Sequence, residues 1–149
     1  MTDEEWAALI ADESKSITGN IQWEADEDHS PGVEFRVEIE SDAGYPLFAK
    51  GSYNRLAQTL SYVLIYRGVG RIYALDLGRD HHNPTCTHTG DKRKHTWSAQ
   101  FRDKDAYVPA DITTDAGNPV LAWNQFCLEA KIKHDGTLSL PPPVQRTFL

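Results

Sequence analysis

The sequence predicts an α+β domain: a curved, mainly antiparallel sheet of about six strands with an N-terminal and a C-terminal helix packed on it. Three observations predict this class. Apolar residues recur at helical spacing near both ends of the chain, short segments between them alternate apolar and polar residues, and glycine-containing turns join those segments. A chain of 149 residues suits one hydrophobic core. We therefore expect a single domain over 1–149, with the proline-rich stretch 139–149 as a surface tail.

The first helix is predicted at the start of the chain. Thr2 is a suitable N-cap, and Glu5, three residues later, completes a capping-box pattern. The next residues form an apolar stripe at helical spacing, which consists of Trp6, Ala7, Leu9 and Ile10. The helix is expected to end near Ile17, just before Gly19.

The second helix is predicted from Asn118 and Pro119. Asparagine is a favoured cap, and proline is favoured at the first helical position because it has no backbone N–H to leave unpaired. The stripe that we expect to be buried consists of Trp123, Phe126, Cys127 and Ala130.

The clearest strand covers 33–40, where apolar residues occupy one face and charged residues the other. That alternation favours an antiparallel sheet with one solvated face. Weaker patterns predict strands at 21–25, 45–49, 71–77 and 95–101, whereas 102–105 is a polar stretch. Residues 52–66 fit both a helix and a strand. We prefer a strand from Thr59, because the glycine-containing segment 67–71 is typical of a hairpin loop.

Charge is distributed unevenly along the chain. The formal net charge is −7, but residues 1–42 hold 13 acidic and 2 basic residues, while 50–104 holds 10 basic and 4 acidic residues. An anionic partner for the basic segment is one explanation, and mutual neutralisation in the fold is the other.

Localisation signals are scarce. The longest apolar run, 62–66, is too short to cross a bilayer, and the acidic N-terminus does not resemble a secretory signal. Two cysteines do not make a disulfide framework. We therefore expect a cytoplasmic protein without membrane contact.

The densest group of chemically active residues lies between two predicted strands. Four of the six histidines occur within fifteen residues, together with a cysteine and a basic run, and two aspartates come just before them. The cluster includes Asp76, Asp80, His81, His82, Cys86, His88, Lys92, Arg93, Lys94 and His95. Such density indicates a site, although each histidine taken singly is more often a solvated or structural residue.

Acid–base chemistry on a phosphodiester is the first interpretation of this cluster. Histidine exchanges protons near neutral pH, and RNA supplies its own nucleophile, the 2′-hydroxyl. The predicted catalytic residues are His82 and His95, with Asp76 to orient a histidine. Phosphate would be held by basic side chains, namely Arg71, Arg79, Arg93 and Lys94. No cofactor is needed for this chemistry.

A zinc site is the alternative interpretation. Nitrogen and sulfur ligands sufficient for tetrahedral zinc are available at His81, His82, Cys86, His88 and His95. Their spacing matches no standard zinc motif, but a zinc ion would anchor a long loop. The module would then be a binding or regulatory protein rather than an enzyme.

The acidic residues of 24–42 suggest a further partner. Their carboxylates could engage a basic protein, as an antitoxin or an inhibitor does, and a solvated strand face is the ordinary explanation.

Several segments also resemble a known family. The segments 67–73, 75–78, 81–84 and 103–109, together with Gly90, His95 and Trp97, resemble a family of small uncharacterised bacterial proteins, a domain of unknown function. The similarity extends from about 51 to 136. It implies a bacterial, cytoplasmic, single-domain protein, and it supplies neither an activity nor catalytic residues.

Overall fold

Consecutive segments of the chain pair as neighbours in one antiparallel sheet. The computed structural model describes residues 1–29, 31–78, 92–99, 102–107 and 116–143. The helices are α1 (Asp3–Ala11) and α2 (Pro119–Glu129). The strands are β1 (Ser16–Thr18), β2 (Glu24–Ala25), β3 (Gly32–Ile39), β4 (Leu47–Asn54), β5 (Thr59–Tyr66), β6 (Gly70–Leu77), β7 (Lys92–Ser98), β8 (Arg102–Tyr107) and β9 (Lys133–Asp135).

The main sheet runs in the order β2-β3-β4-β5-β6-β7-β8, with six long strands and the two-residue β2 at one edge. All of its pairings are antiparallel. The α+β class and the two terminal helices are therefore confirmed. β8 covers a segment that the sequence predicts only as polar, because its alternation is hidden among charged residues.

Helix α1 begins as predicted and ends earlier. The Thr2 side chain accepts a hydrogen bond from the backbone N–H of Glu5, at 3.1 Å. The helix stops at Ala11 because the fully buried Lys15 ammonium donates to the carbonyls of Leu9, Ile10 and Asp12. The predicted end near Ile17 is wrong, since Ile17 belongs to β1.

Strand β1 pairs in parallel with β9, which is more than a hundred residues away along the chain. A three-residue strand with so distant a partner gives no periodic signal in the sequence. The predicted strand at 21–25 is also shortened to β2, because Ile21 forms an isolated β-bridge with Leu138 instead.

The sheet has two different faces. The core face packs against α2 through an aromatic cluster made of Trp23, Phe35, Tyr62, Tyr73, Trp123 and Phe126. Gly51 is needed on this face, because a Cβ there would lie 2.2 Å from the Phe35 ring. The opposite face, named the outer face, is exposed on β3 and β4 and buried on β6 and β7, where Ala74 and His95 are covered.

No helix in the described part of the chain is long and apolar enough to cross a membrane.

Candidate functional site

A hollow lies at one end of the outer face, where β3 and β5 begin and β4 and β6 end. Its volume is about 420 Å³, within the range of small-molecule pockets. The described residues that line and define the hollow are Asp26, Gly32, Val33, Ser52, Tyr53, Asn54, Thr59, Leu60, Ser61, Asp76 and Leu77.

Strand register explains why polar groups gather there. Ser52 on β4 is opposite Ser61 on β5, and Ser61 is opposite Asp76 on β6. Directly opposed residues project from the same face of a sheet. The result is a row of two hydroxyls and one carboxylate across three strands.

Asp76 is held in place from two directions. The Ser61 hydroxyl donates to Asp76 Oδ1 at 2.6 Å, and His95 Nε2 lies 2.8 Å from Asp76 Oδ2. The Asp76 side chain retains 13% exposure, whereas His95 is 1% exposed as a residue. The carboxylate therefore faces the hollow, and the imidazole lies behind it.

This arrangement differs from a nucleophilic triad. In a triad the serine hydroxyl is bonded to the histidine, which takes its proton. Here Ser61 donates to the carboxylate itself, and the histidine lies against the other oxygen of that carboxylate rather than against the serine. The geometry suits recognition by a fixed carboxylate better than attack by a serine.

The predicted pairing of Asp76 with a histidine has a direct counterpart in the structure, since His95 is that histidine. A carboxylate at this distance fixes the orientation of an imidazole, in catalytic sites and in metal sites alike.

Two of the predicted phosphate-binding residues, Arg71 and Lys94, lie away from this hollow. Arg71 is five residues from Asp76 on β6, roughly 16 Å along an extended strand. Lys94 is 1% exposed and its ammonium lies 2.8 Å from the Glu129 carboxylate of α2, on the core side of the sheet. The backbone of Arg93 is opposite Asp76.

The remaining predicted site residues lie outside the described residues. These are Arg79, His81, His82, Cys86 and His88. Within the described ranges, no group of three potential metal-ligating side chains is found. Of the five predicted zinc ligands, only His95 has a described position.

Charge gives the hollow its chemical character. Among the described lining residues, Asp26 and Asp76 are acidic, and none is basic. Three exposed glutamates are close in sequence to residues that line the hollow. Glu24 is on β2, Glu27 follows Asp26, and Glu34 is on β3. A negative lining attracts cationic groups and repels phosphate.

Sequence patterns predict little of the hollow. They place Asp26 only in the acidic region, and they do not distinguish Ser52, Asn54, Thr59 and Ser61 from other polar residues. The one signal available is alternation: the polar positions of 59–66 fall on the face that also carries Asp76.

A comparison with protein families assigns the chain. The model of a family of unknown function, DUF6978, matches residues 1–132. The chain belongs to this family. The DUF6978 match includes α1, β1 and β2, which lie outside the range 51–136 over which the sequence segments resemble a family. No curated protein and no solved structure matches the chain.

Proposed function

We propose that this member of DUF6978 is a binding module whose hollow takes a cationic side chain, arginine or lysine, of a partner protein. The observation that carries the proposal is the lining: two carboxylates and several hydroxyls, with no basic group among the described lining residues. A guanidinium pairs with carboxylates through a planar fork of donors.

The position of the hollow supports a protein partner. It opens beside the exposed acidic residues Glu24, Glu27 and Glu34, so a basic segment would meet further carboxylates on the β2–β3 side of the inserted side chain. The region 24–42, for which the sequence suggests a basic partner, contributes Asp26, Gly32 and Val33 to the lining of the hollow.

The burial of His95 favours binding over phosphodiester cleavage. General acid–base catalysis needs an imidazole within hydrogen-bond reach of the substrate. His95 is 1% exposed, and its Nε2 lies 2.8 Å from Oδ2 of Asp76. Asp76 is the member of the pair that a ligand can touch.

The test uses an arginine octapeptide as the probe and a glutamate octapeptide as its counterpart. Binding is measured by isothermal titration calorimetry at low salt, for the unaltered protein, Asp26→Asn and the exposed control Glu4→Gln. We expect only the arginine peptide to bind. Asp26→Asn should weaken it about fivefold, the upper range for one partly exposed ion pair, whereas Glu4→Gln should change it less than twofold.

Two results would contradict this function. One is an absence of arginine-peptide binding at low salt, where charge attraction is strongest. The other is an equal loss in Asp26→Asn and Glu4→Gln, which would mean that the peptide senses only the net charge.

A second candidate rests on the His95–Asp76 pair. Acid–base cleavage of RNA by His82 and His95, or a zinc ion held by the histidine loop and His95, would each use an imidazole oriented by a carboxylate. RNA cleavage that survives a chelator and disappears in His95→Asn would favour the first. About one zinc per chain, lost in His82→Ala, would favour the second.

A bacterial source and a cytoplasmic location accompany this proposal as expectations. Neither changes the peptide-binding test or the tests of the second candidate.

A further inference from the structure

Two cationic side chains of the outer face are placed directly opposite each other on neighbouring strands. Arg36 on β3 pairs in register with Lys50 on β4, and both are exposed. They project from the same face as Ser52, Ser61 and Asp76, and Lys50 is two residues from Ser52 along β4. Arg36 and Lys50 together are named the basic row.

The backbone brings the basic row especially close together. Gly32 accepts from the Asp26 N–H, and Glu40 exchanges both backbone bonds with Ser16. The even-numbered residues of β3 thus direct their backbone groups away from β4, because donors and acceptors alternate sides along a strand. Arg36 and Lys50 therefore form a non-hydrogen-bonded pair, for which Cα atoms are about 4.5 Å apart.

Like charges that are directly opposed across strands are unfavourable. The nearby acids offset this repulsion only in part. Glu38 is engaged mainly by Arg67, and Arg36 reaches it only at 3.7 Å. Lys50 forms no ion pair with any described residue, including its diagonal neighbours Glu34 and Glu38.

A third cation is fixed beside the basic row. The guanidiniums of Arg36 and Arg67 lie 3.9 Å and 5.2 Å from the centre of the Phe48 ring. Contact with the ring and with Glu38 restricts these long side chains before any ligand arrives. Less conformational entropy is then lost on binding.

We propose that the basic row, with Arg67 beside it, is a binding site for a phosphate group. A phosphate placed between Arg36 and Lys50 relieves their repulsion and accepts hydrogen bonds from both. The site is separate from the hollow and does not use the histidine loop, so it stands whether or not the hollow binds a cationic side chain.

Because the protein as a whole is acidic, only a local group of cations can attract phosphate. At a net charge of −7 the molecule as a whole repels anions. Phosphate binding by such a protein needs a local group of cations, and the basic row is that group on the exposed outer face.

The experiment compares two phosphate sources at low salt, inorganic pyrophosphate and a ten-nucleotide oligouridylate. The variants are Lys50→Gln and a matched control, Lys133→Gln, whose exposed lysine lies on β9. We expect Lys50→Gln to weaken binding at least about fivefold and Lys133→Gln less than twofold, the difference between a contact and a distant charge.

Thermal unfolding supplies a second measurement of binding, which does not require a binding curve. Pyrophosphate should raise the Tm of the unaltered protein and of Lys133→Gln but not of Lys50→Gln, because a ligand stabilises the state that binds it. Without ligand, Lys50→Gln should itself raise the Tm by removing the like-charge contact.

Each outcome assigns or overturns the site. Tighter binding of the oligouridylate assigns a nucleic-acid phosphodiester as the ligand, and binding of pyrophosphate alone assigns a free phosphate. Binding of neither, or equal losses in Lys50→Gln and Lys133→Gln, overturns the proposal. A fall in the ligand-free Tm of Lys50→Gln contradicts the repulsion on which it depends.

Discussion

The two faces of the sheet use charged and polar residues in opposite ways. On the core face, polar groups pair with one another inside the protein: Lys94 with Glu129, and the Trp123 N–H with His134. On the outer face of β3 and β4, Arg36 and Lys50 are directly opposed and exposed. A charge that is internally paired contributes to folding, whereas one left facing solvent is available to a ligand.

The comparison predicts that substitutions on the core face reduce stability without a specific effect on binding. The largest effect is expected for Trp123→Ala, since Trp123 is fully buried and its ring lies within 5.5 Å of those of Phe35, Tyr62 and Phe126. We expect a loss of about 4 kcal/mol in the free energy of unfolding, measured with urea.

Trp123→Phe serves as the control, because it keeps one aromatic ring while it loses the rest of the indole and the N–H that donates to His134. Its loss should be clearly smaller. Equal losses in the two variants would mean that the packing of a single aromatic ring does not stabilise this position, and that the complete indole with its N–H is needed.

The second prediction concerns the buried ion pair. Lys94→Met leaves the Glu129 carboxylate without its partner, and we expect a loss of about 2 kcal/mol, because Glu129 is partly exposed and keeps some water. The double variant Lys94→Met with Glu129→Gln should recover much of that loss. If the double variant is as unstable as the single one, the pair is not what fixes α2 to β7.

These two core-face residues also show what the sequence can and cannot predict. Trp123 belongs to an apolar stripe at helical spacing, and that stripe predicts its burial directly. Lys94 stands in a basic run, which predicts phosphate binding. In the structure its ammonium lies 2.8 Å from the carboxylate of a glutamate 35 positions away, and no local pattern indicates a contact of that kind.

The same limit applies to the candidate site. Alternation in 33–40 predicts one solvated face, and the structure places its charged residues on the exposed face of β3. The hollow depends on which residues of β4, β5 and β6 are opposed, and register is set by turns and by packing of the whole sheet. His95 is among the residues that the sequence predicts for a site, but its burial follows from β6 and β7 being covered on both faces.

Asp76 lies where the exposed part of the outer face meets its covered part, since its carboxylate faces the hollow while its partner His95 is buried. We expect Asp76→Asn to lower the free energy of unfolding by about 1.5 kcal/mol, because the buried imidazole loses a charged partner. Asp26→Asn should change it by less than about 0.5 kcal/mol. Chemical denaturation of both variants measures the difference. Equal stabilities would mean that the contact of Asp76 with His95 contributes no more to folding than an exposed carboxylate does.

The smallest effect is expected at the exposed Arg67–Glu38 pair on the outer face. The hydrogen bond from Arg67 lowers the pKa of the Glu38 carboxyl below its usual value of 4.5. A lowered pKa means that this pair stabilises the fold above the ordinary pKa of glutamate, and that the contribution is lost as the pH falls through the folded-state pKa.

Arg67→Gln should therefore raise the pKa of Glu38 towards the ordinary value while leaving the free energy of unfolding almost unchanged, because exposed ion pairs contribute little. Carboxyl chemical shifts followed by NMR through an acid titration measure the pKa directly. An unchanged pKa would mean that Arg36 already satisfies Glu38. Arg36 would then be paired with Glu38, as charges on the core face are paired within the protein. It would not be available to bind phosphate as part of the basic row.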